Sequence, residues 1–295
     1  MAKGISFNPS KDIPSLAGKV ILITGGNLGL GKQTAIDLAK HSPSELWIAA
    51  RSADSGHATV AEIKKASPDV LVNFLHLDLS SFKSIKEAMR TFLDSVSRLD
   101  LLYLNAGIMG GTHFGTNHMG HALLFKLLKP LLLKTASVPG AGVRTITVSS
   151  AGHRFGKEEL LLESMKSSAE NLSPVDKYCH SKLVNAIYAH ALAKYVPQIT
   201  SVSVYPGDIQ TGLFSSNGGS WMISFLRNIV VPLTSVSVEE GVKNQLWAGT
   251  AKGVEDGLYY EPIGVAGKAS PQAQSDDLAE KLYEWTEKEL EGHAL

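Results

Sequence analysis

The run KVILITGGNLGLG, residues 19–31, carries an apolar stretch straight into a turn that holds four glycines. Val20, Ile21, Leu22 and Ile23 leave no polar face, which is the pattern of a strand covered by helices on both sides of a parallel sheet. After Thr24, the glycines Gly25, Gly29 and Gly31, with Asn27 and Leu28 among them, permit a tight turn, a close approach of backbone to a pyrophosphate and close packing of a helix on the strand. The N-terminus of that helix then faces the anion. Many strand-to-helix turns need glycine, so the turn counts for more because it follows the first strand of an alternating chain. The reading there is dinucleotide binding.

The alternation runs outward from this point. ELWIAA (45–50), VLVNFLHL (70–77), LDLLYLN (99–105), VRTITVS (143–149) and TSVSVYP (200–206) read as further strands. Segments of helical period near 30–41, 54–66, 81–97, 116–134 and 174–195 lie between them, the last announced by Ser173 and Pro174. This order implies a three-layer, doubly wound parallel α/β sheet. No repeat or linker interrupts it, so a single domain over 1–295 is expected. A final helix at about 275–290 places Leu278, Leu282, Trp285 and Leu290 at core-facing spacing.

Composition narrows the function. Lys+Arg and Asp+Glu balance at 28 each, so no basic field exists to gather nucleic acid. The one cysteine, Cys179, excludes a disulfide within the chain and fits a reducing compartment. The N-terminus lacks the apolar run of a signal peptide, and no window reaches the ~20 apolar residues of a membrane span. A soluble, cytoplasmic protein is expected. Residues 221–233 are mostly apolar and read as a helix and loop over a substrate cleft, with a membrane-surface contact as the alternative.

Arg51 stands at the end of the second strand, where an acid would hold the ribose 2′-hydroxyl of NAD. A cation suits a 2′-phosphate, so NADP is preferred, with Lys32 and Asn27 as helpers; an ordinary surface arginine is the alternative. Asp78, with Leu79 beside it, ends the third strand as an acceptor for the adenine amino group. Otherwise Asp78 or Ser80 caps the next helix.

At the other end of the cofactor path, Ser149 or Ser150 can meet Tyr178 and Lys182, which are four apart and share one helical face. A phenol titrates near 10, so bringing it near 7 needs about 4 kcal/mol of differential stabilisation, which a neighbouring ammonium helps to supply.

TGGNLGLG, NAG (105–107), VSS (148–150), the YxxxK of Tyr178 and Lys182, and YPGDIQT (205–211) together resemble the short-chain dehydrogenase/reductases, from Gly18 to about Leu290. ARS (50–52), TNHMGHALL (116–124), YCHSKLVNA (178–186) and EEGVKNQLWAG (239–249) look most like the retinol-dehydrogenase-like NADP branch, with its many fungal oxidoreductases. The resemblance implies a Rossmann fold and an NADP(H)-dependent oxidoreductase that needs no metal. It implies that Tyr178 is the acid in reduction and the base in oxidation, and that Lys182 holds the nicotinamide ribose and lowers the phenol's pKa. Ser150 would bind the substrate oxygen, with Ser149 as the fallback. Asn117 would anchor a water in the proton relay, Asn105 would support the sheet, and Pro206, Gly207 and Thr211 would border the nicotinamide amide. Dimers or tetramers through the helix after NAG and the YxxxK helix are implied as well. His180, inside the motif, reads as structural.

One departure stands out. In this branch the NAG is separated from the following Asn-His by about ten more residues than the nine between Gly107 and Asn117. Either the helix starts late and Asn117 arrives by a tighter path, or its place near Lys182 is compromised. His118 and His121 can share a helical face, but a metal would need His113 from a glycine-broken turn, so none is expected. The expected substrate is an apolar ketone, aldehyde or alcohol, retinal- or steroid-like or from secondary metabolism. Its cleft would lie in about 151–172 and 212–235, walled by Phe155, Leu213, Phe214, Trp221, Met222 and Phe225. A non-catalytic NADP-binding protein is the competing reading.

Overall fold

The computed structural model describes residues 4–108, 114–156, 172–207 and 236–295. Seven parallel strands form one sheet: β1 (Val20–Thr24), β2 (Glu45–Ala50), β3 (Leu71–His76), β4 (Leu101–Leu104), β5 (Arg144–Val148), β6 (Thr200–Val204) and β7 (Tyr259–Tyr260), in the order β3-β2-β1-β4-β5-β6-β7. The order reverses direction between β1 and β4, where Leu22 is paired with Trp47 on one side and Leu102 on the other. Ligands of open α/β sheets bind at such a reversal, beyond the carboxyl ends of the strands.

Alternate residues of the inner strands enter opposite cores. Val20, Leu22, Leu102 and Leu104 pack into one, with α4 (Phe82–Ser95), α5 (Gly120–Ala136), α6 (Pro174–Tyr195) and α8 (Asp276–Glu289). Ile21, Ile23, Leu101 and Tyr103 pack into the other, with α2 (Gly29–Ala39), α3 (Ala53–Ala66), α7 (Val238–Thr250) and Phe7 and Ile13, which flank the short exposed α1 (Pro9–Asp12). This two-sided burial explains the unbroken apolar runs.

The six strands and six helices expected from the sequence are present with boundaries shifted by a few residues. α6 is bounded as expected: Ser173 accepts from Asp176 N, Asp176 reaches back to Ser173, and Pro174 opens the helix. α7 and β7 had not been expected. Gly241 and Gly249 obscure the period of α7, although Ser237 and Glu240 give the Ser-x-x-Glu start signal, and Ser237 does accept from Glu240 N. α5 is preceded by a π-helical turn, Gly115–Met119.

α8 lies on α6 and α5, with Glu287 paired to Lys126 at 2.9 Å and Thr286 bonded to His118. Among the described residues no helix is long and apolar enough to cross a membrane.

Gly249 lets α7 approach β4, since a Cβ there would stand 1.9 Å from the buried Tyr103 hydroxyl oxygen. Gly249→Ala is expected to destabilise by about 1–3 kcal/mol through overpacking, and Tyr103→Phe in the same chain to recover most of that loss. Urea unfolding of the two single variants and the double variant measures the coupling, and strict additivity would contradict it.

Candidate active site

The cofactor end is built on backbone. Gly25 and Gly29 have φ of +65° and +52°, and a Cβ on Gly31 would stand 2.3 Å from the Gly25 carbonyl oxygen. Only glycine fits all three positions without strain. Leu28, extended and 66% exposed, precedes α2 and makes no side-chain capping bond, so no cap side chain takes the amides that open that helix. Free amides and the positive end of the helix dipole suit a pyrophosphate, so the turn fits the dinucleotide.

Beside it, Arg51 is exposed and leads directly into α3, whose N-cap Ser52 makes no side-chain bond. Lys32 is held by Glu62 at 2.7 Å, and Asn27 donates to Ser55 at 2.7 Å, tying the glycine turn to α3. Asp78 accepts from the Ser80 amide and hydroxyl at 3.0 and 2.7 Å. Those bonds, led by the hydroxyl's and helped by Arg51 and His76, hold its carboxyl below the usual range. The cap of α4 is Ser81, which accepts from Ser84 N at 3.2 Å, in place of the expected Asp78 or Ser80. Asp78 is occupied by Ser80, and the register puts the cap one residue later. The Leu79 side chain is buried in the core, and its carbonyl lies against Gly120, where a Cβ would come within 2.2 Å.

Thr24 joins β1 to the NAG turn. Its hydroxyl oxygen accepts from the amides of Asn105 and Ala106, both at 3.0 Å, and Asn105 Nδ2 donates to the Thr24 carbonyl at 2.9 Å. His121 Nε2 lies 2.9 Å from the same hydroxyl, and its Nδ1 lies 3.2 Å from the Asn117 carbonyl. A carbonyl only accepts, so Nδ1 carries the proton, and Nε2 shares the hydroxyl's one proton with the Tyr103 carbonyl, 3.1 Å from that hydroxyl. Burial, offset in part by that carbonyl and reinforced by Lys182, pushes His121 down to about 4. His118, stacked edge-on against Tyr188 and bonded to Thr286, is pushed down by burial to about 3. Both histidines are neutral core residues, and His113 lies outside the described residues.

The shortened connection leaves Asn117 beside Lys182. Asn117 clamps Ile108, accepting from its amide at 2.9 Å and donating to its carbonyl at 3.1 Å, and it also donates to Ser181 Oγ at 3.1 Å. A Cβ on Gly107 would stand 3.4 Å from Lys182 Nζ and 3.6 Å from Asn117 Oδ1, so both side chains converge there. Asn117 itself lies within the π-helical turn Gly115–Met119, a rare form frequent at functional sites.

At the end of β5 the two serines separate in role. The buried Ser149 donates to the Lys182 carbonyl at 2.8 Å, which pins α6 to the sheet. Ser150 is partly exposed, opens a 3₁₀ turn (Ala151–Phe155) and accepts from Gly152 N at 3.1 Å, leaving its own proton to donate. A Cβ on Gly152 would stand 3.4 Å from Ser150 Oγ and 3.8 Å from Tyr178 Cε1. The Ser150 hydroxyl and the Tyr178 ring thus both lie at ordinary contact distance from that point, and only the place of Gly152 two residues after Ser150 could have signalled it. Lys182 is 4% exposed, donates to the Val148 carbonyl at 3.1 Å and lies 5.7 Å from the Tyr178 ring centroid. Burial pushes its ammonium down to about 8. His180 is buried, in keeping with a structural place. Pro206 and Gly207 follow β6, and Gly207 has φ +95°. Phe155 is 76% exposed next to this turn. Thr211, Leu213, Phe214, Trp221, Met222, Phe225 and the 221–233 segment lie outside the described residues.

Comparison with known proteins agrees with the fold. Residues 19–122 match the family model described as short chain dehydrogenase. A short-chain dehydrogenase/reductase of Armillaria gallica is 33% identical over 94% of this chain and 91% of its own length. Human retinol dehydrogenase 12 is 32% identical over 91% of this chain and 85% of its own. Among solved structures, the Pseudomonas aeruginosa RhlG/NADP active-site complex superposes with a TM-score of 0.67 at 21% identity, over 83% of this chain and 94% of that one. An Escherichia coli short chain dehydrogenase complexed with NADPH superposes at 0.64 and 17%, over 84% and 97%. The chain belongs to the short-chain dehydrogenase/reductase family. It is an oxidoreductase of CH–OH and C=O groups with a Rossmann fold that binds a nicotinamide cofactor.

The buried ammonium gives a pH test of stability. Its folded value lies below the ordinary 10.5, so between about 8 and 10.5 the unfolded chain binds a proton that the folded chain has shed. Stability contributed by this group is thus lowest below pH 8 and rises with pH across that window. Lys182→Met is expected to melt above wild type at pH 7, with the gap narrowing as pH approaches 10.5. A wild type that melts higher at pH 7, by a margin constant with pH, would contradict the burial cost.

Proposed function

We propose that the chain is an NADP(H)-dependent carbonyl reductase or alcohol dehydrogenase for apolar ketones, aldehydes or alcohols, with Ser150, Tyr178, Lys182 and Asn117 as its working residues. The observation that carries this reading is the convergence at the sheet edge. Ser149 spends its proton on α6, Ser150 keeps its own, and Lys182 Nζ stands 5.7 Å from the Tyr178 ring centroid.

A bound nicotinamide supplies the hydride for reduction and accepts it in oxidation. The chain's part is to polarise and protonate. Ser150 donates a hydrogen bond to the substrate oxygen, and Tyr178 gives that oxygen its proton in reduction and recovers it in oxidation. Lys182, charged below about pH 8, stabilises the phenolate and holds the ribose. Asn117, fixed on Ile108 and Ser181, anchors the water that returns protons to Lys182. The glycine turn with Asn27, Leu28 and Lys32, together with Asp78, Leu79, Asn105, Pro206, Gly207 and Thr211, cradles the rest of the cofactor. Exposed Phe155 beside Ser150 supports an apolar substrate, as does the similarity to retinol dehydrogenase 12.

The choice of NADP rests on Arg51 at the open start of α3, with no acidic side chain at the end of β2. Complexes of structural neighbours with NADP and NADPH agree with it. Arg51→Asp is expected to raise the KM for NADPH by about tenfold or more while changing that for NADH little, as lost charge-assisted bonds to a phosphate would require. Equal losses for both cofactors would remove the assignment.

Turnover itself is read by NADPH oxidation with a panel of aromatic, aliphatic and steroidal carbonyls. Tyr178→Phe should lower kcat by about a hundredfold or more while leaving the NADPH dissociation constant near that of wild type. Binding of NADPH without turnover of any carbonyl, unchanged by Tyr178→Phe, would favour a non-catalytic binding protein instead.

A further inference from the structure

His153 directly follows Gly152, three residues after Ser150, and is fully buried, at 0% exposure. Its Nδ1 stands 2.7 Å from the Ser150 carbonyl, and its Nε2 stands 3.0 Å from the backbone nitrogen of Ser270, 117 residues away in sequence. A carbonyl can only accept and a backbone amide can only donate. The ring therefore carries its proton on Nδ1 and a lone pair on Nε2, and both nitrogens are used.

The segment that His153 grasps is itself fixed. The His153 ring lies 4.5 Å from that of Tyr259, whose hydroxyl donates to Glu261 at 2.8 Å. Arg154 donates to the Lys268 carbonyl and pairs with Glu261 at 2.5 Å. Ser270 then accepts from Ala273 N, and the 3₁₀ turn Gln272–Gln274 packs on α6, the helix of Tyr178 and Lys182. The turn holding Ser150 and the helix holding Tyr178 are thereby referred to one C-terminal frame.

We propose that His153 is a positioning residue, whose Nδ1–H holds the Ser150 carbonyl and so sets the hydroxyl's aim relative to the phenol, while the Ser270 amide on Nε2 fixes the tautomer that makes this bond. The proposal rests on the reading of Ser150 as the group that binds the substrate oxygen. Without the imidazole, the Ser150 carbonyl keeps only the weaker 3₁₀ bond from His153 N, at 3.0 Å, while Arg154 still anchors the far end of the turn.

Two near-isosteres separate positioning from bulk stability. In His153→Asn the amide nitrogen occupies the place of Nδ1 and keeps the Ser150 bond, with nothing for Ser270. In His153→Gln the amide oxygen reaches Ser270 and the Ser150 bond is lost. With a carbonyl that wild type reduces, Asn should keep kcat within about threefold, whereas Gln and Phe lower it about tenfold or more, with KM for NADPH within about twofold for all three. Asn and Gln should melt at similar temperatures. Equal loss in Asn and Gln, or activity that tracks melting temperature alone, overturns the proposal. Ser150→Ala is the control: if it abolishes turnover while the His153 variants do not differ, only the positioning role fails. If Ser150→Ala remains active, the reading of Ser150 fails and takes the proposal with it. Long-range ¹⁵N–¹H correlation on the full wild-type chain tests the geometry without a variant, and a proton found on Nε2 of His153 would also overturn it.

Discussion

A lysine ammonium sealed at the carboxyl edge of the sheet governs what surrounds it. Lys182 reaches no carboxylate in the ion pairs of the described residues, and its hydrogen bond is to the Val148 carbonyl. A charge so placed costs free energy, visible in its depressed pKa. The rest of the edge fits around that cost. Ser149 grips the Lys182 backbone, Asn117 holds the neighbouring Ser181, and Gly107 leaves the space into which Nζ points. An uncompensated cation beside a phenol is also what an anionic phenolate needs, so the destabilised group and the useful one are the same.

The topology makes this concentration possible. All strands are parallel, so all carboxyl ends lie on one edge, and the glycine turn, the NAG turn, Ser150 and the loop after β6 are delivered there together. Alternating buried side chains commit each inner strand to two cores at once. A one-residue slip of β1 would exchange those faces, so the edge is held in register by the whole interior.

These particulars also explain which features could be read from the chain. Strands buried on both faces, the glycine turn, and the Ser173-Pro174 start of α6 are local signals, and each was legible. Strand order and four-residue spacing suggested only that Ser149 or Ser150 can meet Tyr178 and Lys182; that Ser149 is spent on the Lys182 carbonyl is visible in the structure alone. Less legible were features whose cause is distant. His153 finds its partner at Ser270, and His121 finds Thr24 97 residues away, so neither carries a local mark. α7 was hidden because Gly249 answers to the Tyr103 hydroxyl, a demand of tertiary packing that weakens the helical pattern. The cap of α4 fell on Ser81 because three neighbouring polar residues compete and the winner is set by where the strand ends.

The short connection before α5 shows how local clamping can insulate a site from loop length. Asn117 bonds both the amide and the carbonyl of Ile108, nine residues earlier, and this clamp depends on the two ends of the connection. About ten more residues in this connection would roughly double it, which changes its closure entropy by only about 0.6 kcal/mol. Two hydrogen bonds to backbone, together with the Ser181 contact, outweigh that difference. What a shorter path does demand is an altered helix start, and the π-helical turn supplies it by inserting one residue per turn over Gly115–Met119. His121, one turn further on, then takes up the Asn117 carbonyl and ties it to Thr24. Asn117 is thus fixed from its side chain and its backbone at once, and its position beside Lys182 is set by these contacts while the length of the intervening chain varies.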